Sequence, residues 1–89
     1  MILRQWEVWK TRPHGLERDH WFVIISAEER LHSAGYNQIN GLACFTLRGQ
    51  PRATDVRLNA PDGFEAATVC QCDLIYFLEK GRLHSRVGG

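Results

Sequence analysis

No apolar run in this chain of 89 residues is longer than five, the two longest beginning at Trp21 and Leu74, whereas a helix needs about 20 apolar residues to cross a bilayer. A membrane-spanning helix is therefore not expected. A disulfide framework is also not expected, because three cysteines are an odd number and the opening Met1-Ile2-Leu3-Arg4-Gln5 turns polar at once, unlike a secretory leader. The expected setting is the cytoplasm, with reduced thiols. Lysine is scarce too: Lys10 and Lys80 are the only two among eleven basic residues, the other nine being arginine. A formal net charge of +1 decides nothing about nucleic acid by itself. Arginine's planar fork nevertheless suits phosphate and carboxylate, so an anionic partner stands beside the plainer reading of a solvated arginine-rich surface. Repeats and low-complexity segments are absent, and 44% hydrophobic residues argue against disorder. One domain of this size buries roughly 60–65% of its unfolded surface.

What is present is β-pattern. Trp21-Phe22-Val23-Ile24-Ile25-Ser26 is dense in aromatic and β-branched residues and reads as a strand buried on both faces. Before it, Gln5–Lys10 alternates, with Trp6, Val8 and Lys10 on one face and Gln5, Glu7 and Trp9 on the other. Thr11–Asp19, carrying Pro13 and Gly15, is a connecting loop. Ser26-Ala27-Glu28-Glu29 has the spacing of a capping box, with Ser26 as the cap and Gly35 closing a helix of about two to three turns. Ile39–Leu47 reads as a third strand with Gly41 as a candidate bulge. Arg48–Arg52 is a basic turn, Thr54–Asn59 a fourth strand, and Pro61-Asp62-Gly63 a further turn. The last long strand is Ala67–Leu78. Alternation gives it one face of Cys70, Cys72, Leu74, Tyr76 and Leu78, and another of Val69, Gln71, Asp73, Ile75 and Phe77. Short strands with one short helix and no βαβ periodicity predict a small, mainly antiparallel barrel or curled sheet.

Several side chains are candidates for chemistry. His14 and His20 titrate nearest neutral pH, and they also suit solvated loops. Asp73 lies in an apolar strand and needs a partner such as Arg48 or Arg57. Arg48, Arg52 and Arg57 with Lys10 and Arg12 are either the rim of a nucleic-acid groove, with Trp9 or Trp21 stacking on bases, or a solvated face over core tryptophans. Cys70 and Cys72 are expected to share the apolar face and Cys44 to be buried. No second ligand pair has zinc spacing, so no metal or other cofactor is expected.

In order, Gln5-Trp6-Glu7-Val8-Trp9, Trp21–Ser26, Cys72-Asp73-Leu74-Ile75 and Lys80-Gly81-Arg82-Leu83 resemble the conserved strands of the MazF/PemK/Kid family of toxins. The likeness spans residues 4–83. It implies a single domain over 1–89 with an SH3-like antiparallel barrel of the PemK/CcdB type, here without the helix that follows Arg-Leu in the family. It also implies a type II toxin that cleaves single-stranded RNA without metal, as a homodimer, and is neutralised by an antitoxin protein. By the same likeness His14 matches the family's loop histidine and Asp73 its strand aspartate. His20 joins them as a catalytic candidate, with Gln71, Thr46, Arg48 and Arg12 as substrate-binding residues. Two family arginines are replaced, one by His20 and the other, from Arg-x-Asp, by Gln71. Trp21 stands for a proline and Trp6 for a glycine. Each lost charged donor is worth about 2–4 kcal/mol of transition-state stabilisation. Either the histidines take over as acid and base, or the barrel binds an antitoxin, nucleic acid or another protein without chemistry.

Overall fold

Alternating apolar residues become six antiparallel strands in the computed structural model, which describes residues 3–13, 17–47, 49–58 and 67–87. They are β1 (Val8–Thr11), β2 (His20–Ile24), β3 (Gln38–Thr46), β4 (Asp55–Leu58), β5 (Thr68–Glu79) and β6 (Ser85–Val87). One short helix, α1 (Glu28–His32), follows β2, and a 3₁₀ turn at Lys80–Arg82 follows β5. The strands form one sheet in the order β4-β5-β3-β2-β1-β6, mainly β and barrel-like as expected. No helix among the described residues is long and apolar enough to cross a membrane.

β1 starts at Val8 rather than Gln5, because Trp6 takes a positive φ of 74°, a conformation costly for a bulky side chain. Pairing on both sides holds it there. The Trp6 N–H donates to Ile24 O at 2.7 Å, and the Ile24 N–H donates to Glu7 O at 2.9 Å. The kink takes Trp6 off the face expected for it with Val8 and leaves it 67% exposed.

β2 is buried on one face, not on both. Phe22 and Ile24 are wholly buried, and they pack with Leu3, Trp9, Leu31, Ile39, Ala43, Leu78 and Leu83 under α1. Trp21 and Val23 are half-buried and ring a smaller cluster of Val8, Cys44 and Cys70 on the other side. Among the described residues α1 packs on the first face through Leu31, and the second face is partly covered. The capping box does not form either. Ala27 occupies the N-cap without a side-chain bond, while Ser26 Oγ accepts the Asn40 N–H at 2.8 Å and so joins the helix entry to β3. At the other end of α1, Lys80 Nζ donates to Arg30 O at 2.6 Å and to Ser33 O at 2.8 Å, satisfying carbonyls that a helix end leaves free.

The pairing of β3 with β5 sets the site. Leu42 pairs with Ile75, but Cys44 pairs with Cys70, so Gln71, Cys72, Asp73 and Leu74 oppose the single Ala43. The irregularity therefore lies beside Ala43 and not at Gly41. Gly41 stays in register with Tyr76 and is small because a Cβ there would lie 2.6 Å from Leu78 Cδ1. The bulge reverses the phase of β5. Leu78 enters the Phe22 cluster whereas Cys70 enters the opposite one, so the expected single face from Cys70 to Leu78 does not exist, and Cys72 and Leu74 are exposed.

Candidate functional site

The sheet register lines up one row of side chains across four strands. His20 pairs with Thr11, and its ring lies on Phe45 with centroids 5.0 Å apart. Phe45 pairs with Val69, and Val69 with Arg57. Residues paired across a sheet share a face, so His20, Phe45, Val69 and Arg57 stand on the face that carries Phe22. The next row on this face contains Trp9, Phe22 and Ala43, followed by Gln71 in register with Asp55. At ordinary strand spacing and rise, the Cα atoms of His20 and Gln71 are roughly 12 Å apart.

Asp73 has a cationic partner, though neither Arg48 nor Arg57. Arg52 Nη2 lies 3.0 Å from Asp73 Oδ1 and 3.4 Å from Asp55 Oδ1. The Arg52 N–H donates to Asp55 Oδ2 at 2.9 Å, and the Asp55 N–H returns a bond to Arg52 O at 3.0 Å. This turn starts β4 and also carries a guanidinium to the bulge. The spacing Arg52-x-x-Asp55 is a turn signal readable in the sequence, although the reach to Asp73 is not.

The other expected site residues fall as follows. Arg12 is exposed directly after the Thr11–His20 pair. Thr46 ends β3 in register with Thr68, on the opposite side of the strand from Phe45. His14 and Arg48 lie outside the described residues. Trp9 is buried, with its Nε1–H donating to Glu7 at 3.2 Å, and Lys10 Nζ sits 5.3 Å from the centre of the Trp21 ring. A neighbour not expected from the sequence is Asp19, adjacent to His20, whose carboxylate meets His84 Nε2 at 3.1 Å. The two are far apart in sequence, and no local pattern announces the pair.

Electrostatics distinguish the thiols from the carboxylates. Cys70 is pushed well up, first by its hydrogen bond with Cys44 and then by burial; burial followed by the proximity of Cys70 also raises Cys72. Both remain protonated at neutral pH, which makes them poor nucleophiles and poor metal ligands. Among the described residues, no three or more His, Cys, Asp or Glu side chains gather to hold a metal ion.

The curled sheet with its one short helix and bulged long strand defines a class, the MazF-like fold. A solved structure similar to this chain is the Mycobacterium tuberculosis toxin MazF-mt6, with a TM-score of 0.73 and 21% identity over 93% of this chain and 78% of that one. No protein-family model matches the sequence, and no curated protein does.

Proposed function

We propose that this protein is the toxin of a type II toxin–antitoxin pair, a metal-independent endoribonuclease that acts on single-stranded RNA in the cytoplasm. The observation carrying this reading is that His20 and Gln71 share one face, with the Arg52–Asp73 pair held at Asp55, the residue in register with Gln71, on a fold similar to a toxin's. The chemistry needs a base for the ribose 2′-hydroxyl proton, an acid for the leaving 5′ oxygen, and cations for the phosphorane. Asp73 takes the 2′ proton, the 2′ oxygen attacks phosphorus, and the bond to the 5′ oxygen breaks as a histidine returns a proton to it. The products are a 2′,3′-cyclic phosphate and a 5′-hydroxyl. His20 is the acid in this scheme, with His14 as its counterpart in the first loop. Gln71, Arg48 and Arg12 contact the RNA, whereas Thr46 lies on the side of β3 away from Phe45. An antitoxin and a second copy of the chain are its partners.

The test is purified protein on single-stranded RNA in EDTA. Cleavage is expected, with Asp73→Ala and His14→Ala each losing it; native protein no more active than those variants would end the reading. A second reading, a barrel that binds without chemistry, draws on His20 and Gln71 standing where the resemblance calls for arginines. It predicts that His20→Arg with Gln71→Arg creates an activity the native chain lacks.

A further inference from the structure

We propose that Arg52 supplies the phosphate-facing cation that position 71 lacks, an inference that rests on the ribonuclease reading. The resemblance pairs an arginine with the aspartate two residues later on the same strand, and here that position is the neutral Gln71. The turn before β4 brings a guanidinium to the same aspartate. Arg52 Nη2 contacts Asp73 Oδ1 at 3.0 Å and Asp55 Oδ1 at 3.4 Å. Asp55 is in register with Gln71, so the cation stands beside the vacant charge position.

The way it is held leaves donors available. The Asp55 side chain is only 6% exposed, whereas that of Arg52 is 54% exposed, so the anchor is buried and the fork faces outward. Both carboxylate contacts use Nη2. Among the described residues, Nε and Nη1 have no partner; they point to different sides of the guanidinium, and each offers a phosphodiester a single charge-assisted N–H bond. As Asp73 takes up the 2′ proton, the cluster passes from net −1 to neutral, with Arg52 still paired to Asp55, so its repulsion of an anionic phosphorane is removed. Arg52 is thus both a positioning residue for Asp73 and a donor to the transition state. A lysine carries all its donors on one nitrogen, whereas the guanidinium holds the carboxylates through Nη2 and keeps separate N–H groups on Nε and Nη1.

The test uses wild type, Arg52→Ala, Arg52→Lys, Gln71→Arg and the double variant Arg52→Ala/Gln71→Arg. Each is assayed for cleavage of single-stranded RNA in EDTA and for binding of a fully 2′-O-methyl oligonucleotide that cannot be cut. Arg52→Ala is expected to lower kcat by about 100-fold or more with KM changing far less, and Arg52→Lys to recover little. Adding Gln71→Arg to Arg52→Ala should recover kcat at least about tenfold, which a merely structural role would not predict. The Arg52 N–H to Asp55 bond survives every substitution, and the Lys variant keeps the aliphatic stem, so a folded variant is available. Arg52→Ala cutting like wild type, or a double variant no better than Arg52→Ala, overturns the proposal. If wild type cuts nothing, the ribonuclease reading falls and oligonucleotide binding decides the role of Arg52. Weaker binding by Arg52→Ala, regained in the double variant, supports it; unchanged binding overturns it.

Discussion

Glu7 shows how much one side chain can organise where β1 begins. Burial pushes its carboxyl up, but hydrogen bonds from the Arg4 N–H, from Arg86 and from Trp9 outweigh burial, and the net direction is down. A carboxylate held below its unfolded value stabilises the fold above the ordinary glutamate range and loses that contribution as pH falls through the lower, folded value. Urea midpoints measured from pH 7 to pH 3 should therefore fall steeply in the native chain and less steeply in Glu7→Gln. Cys72 provides a second expectation at this scale. It is exposed, yet burial of its sulfur and the neighbouring Cys70 keep it a thiol. At pH 8, iodoacetamide should modify it more slowly than free cysteine, and should reach Cys44 and Cys70 only in denaturant.

Among the elements, β3 depends on a glycine for space. A Cβ on Gly41 would meet Leu78 Cδ1 at 2.6 Å and Phe22 Cβ at 3.2 Å, so Gly41→Ala should cost about 1–3 kcal/mol of stability in chemical denaturation. The strands themselves were legible from alternation and turn residues, with boundaries moved by a residue or more. What alternation could not supply was the phase change in β5, because a bulge is a relation between two strands and the sequence of one does not encode its partner's count. For the same reason Cys72 was expected inside and lies outside. Trp6 misled as well, since its alternation with Val8 held while its backbone turned away. Ser26 has the residue type and spacing of a cap, but the Asn40 N–H, 14 residues later, claimed its hydroxyl.

For the whole molecule, one covered face carries the stability. Phe22 is wholly buried and Phe77 is 75% exposed, although both are phenylalanines in strands. Phe22→Ala should cost about 3–5 kcal/mol, most of what a domain this small possesses, and Phe77→Ala within about 0.5 kcal/mol; thermal unfolding of the two variants checks the contrast. The candidate site was legible only in part. His20, Gln71 and Asp73 could be named as candidates because the resemblance aligns them with a family's arginines and aspartate. Arg52 as the partner of Asp73, and the pair of Asp19 with His84, exist only once distant segments have been brought together.

The four residues set against Ala43 also bear on which chain lengths this fold accepts. β5 carries an odd surplus over β3 at that point, and only its oddness matters for what lies downstream. Removing two residues from Gln71–Leu74 would leave Tyr76 and Leu78 facing the core as before. Removing one would turn them to solvent and bring Ile75 and Phe77 inward. Insertions and deletions in this stretch are thus tolerated in pairs, and the segment that holds the candidate site can change length only by even steps.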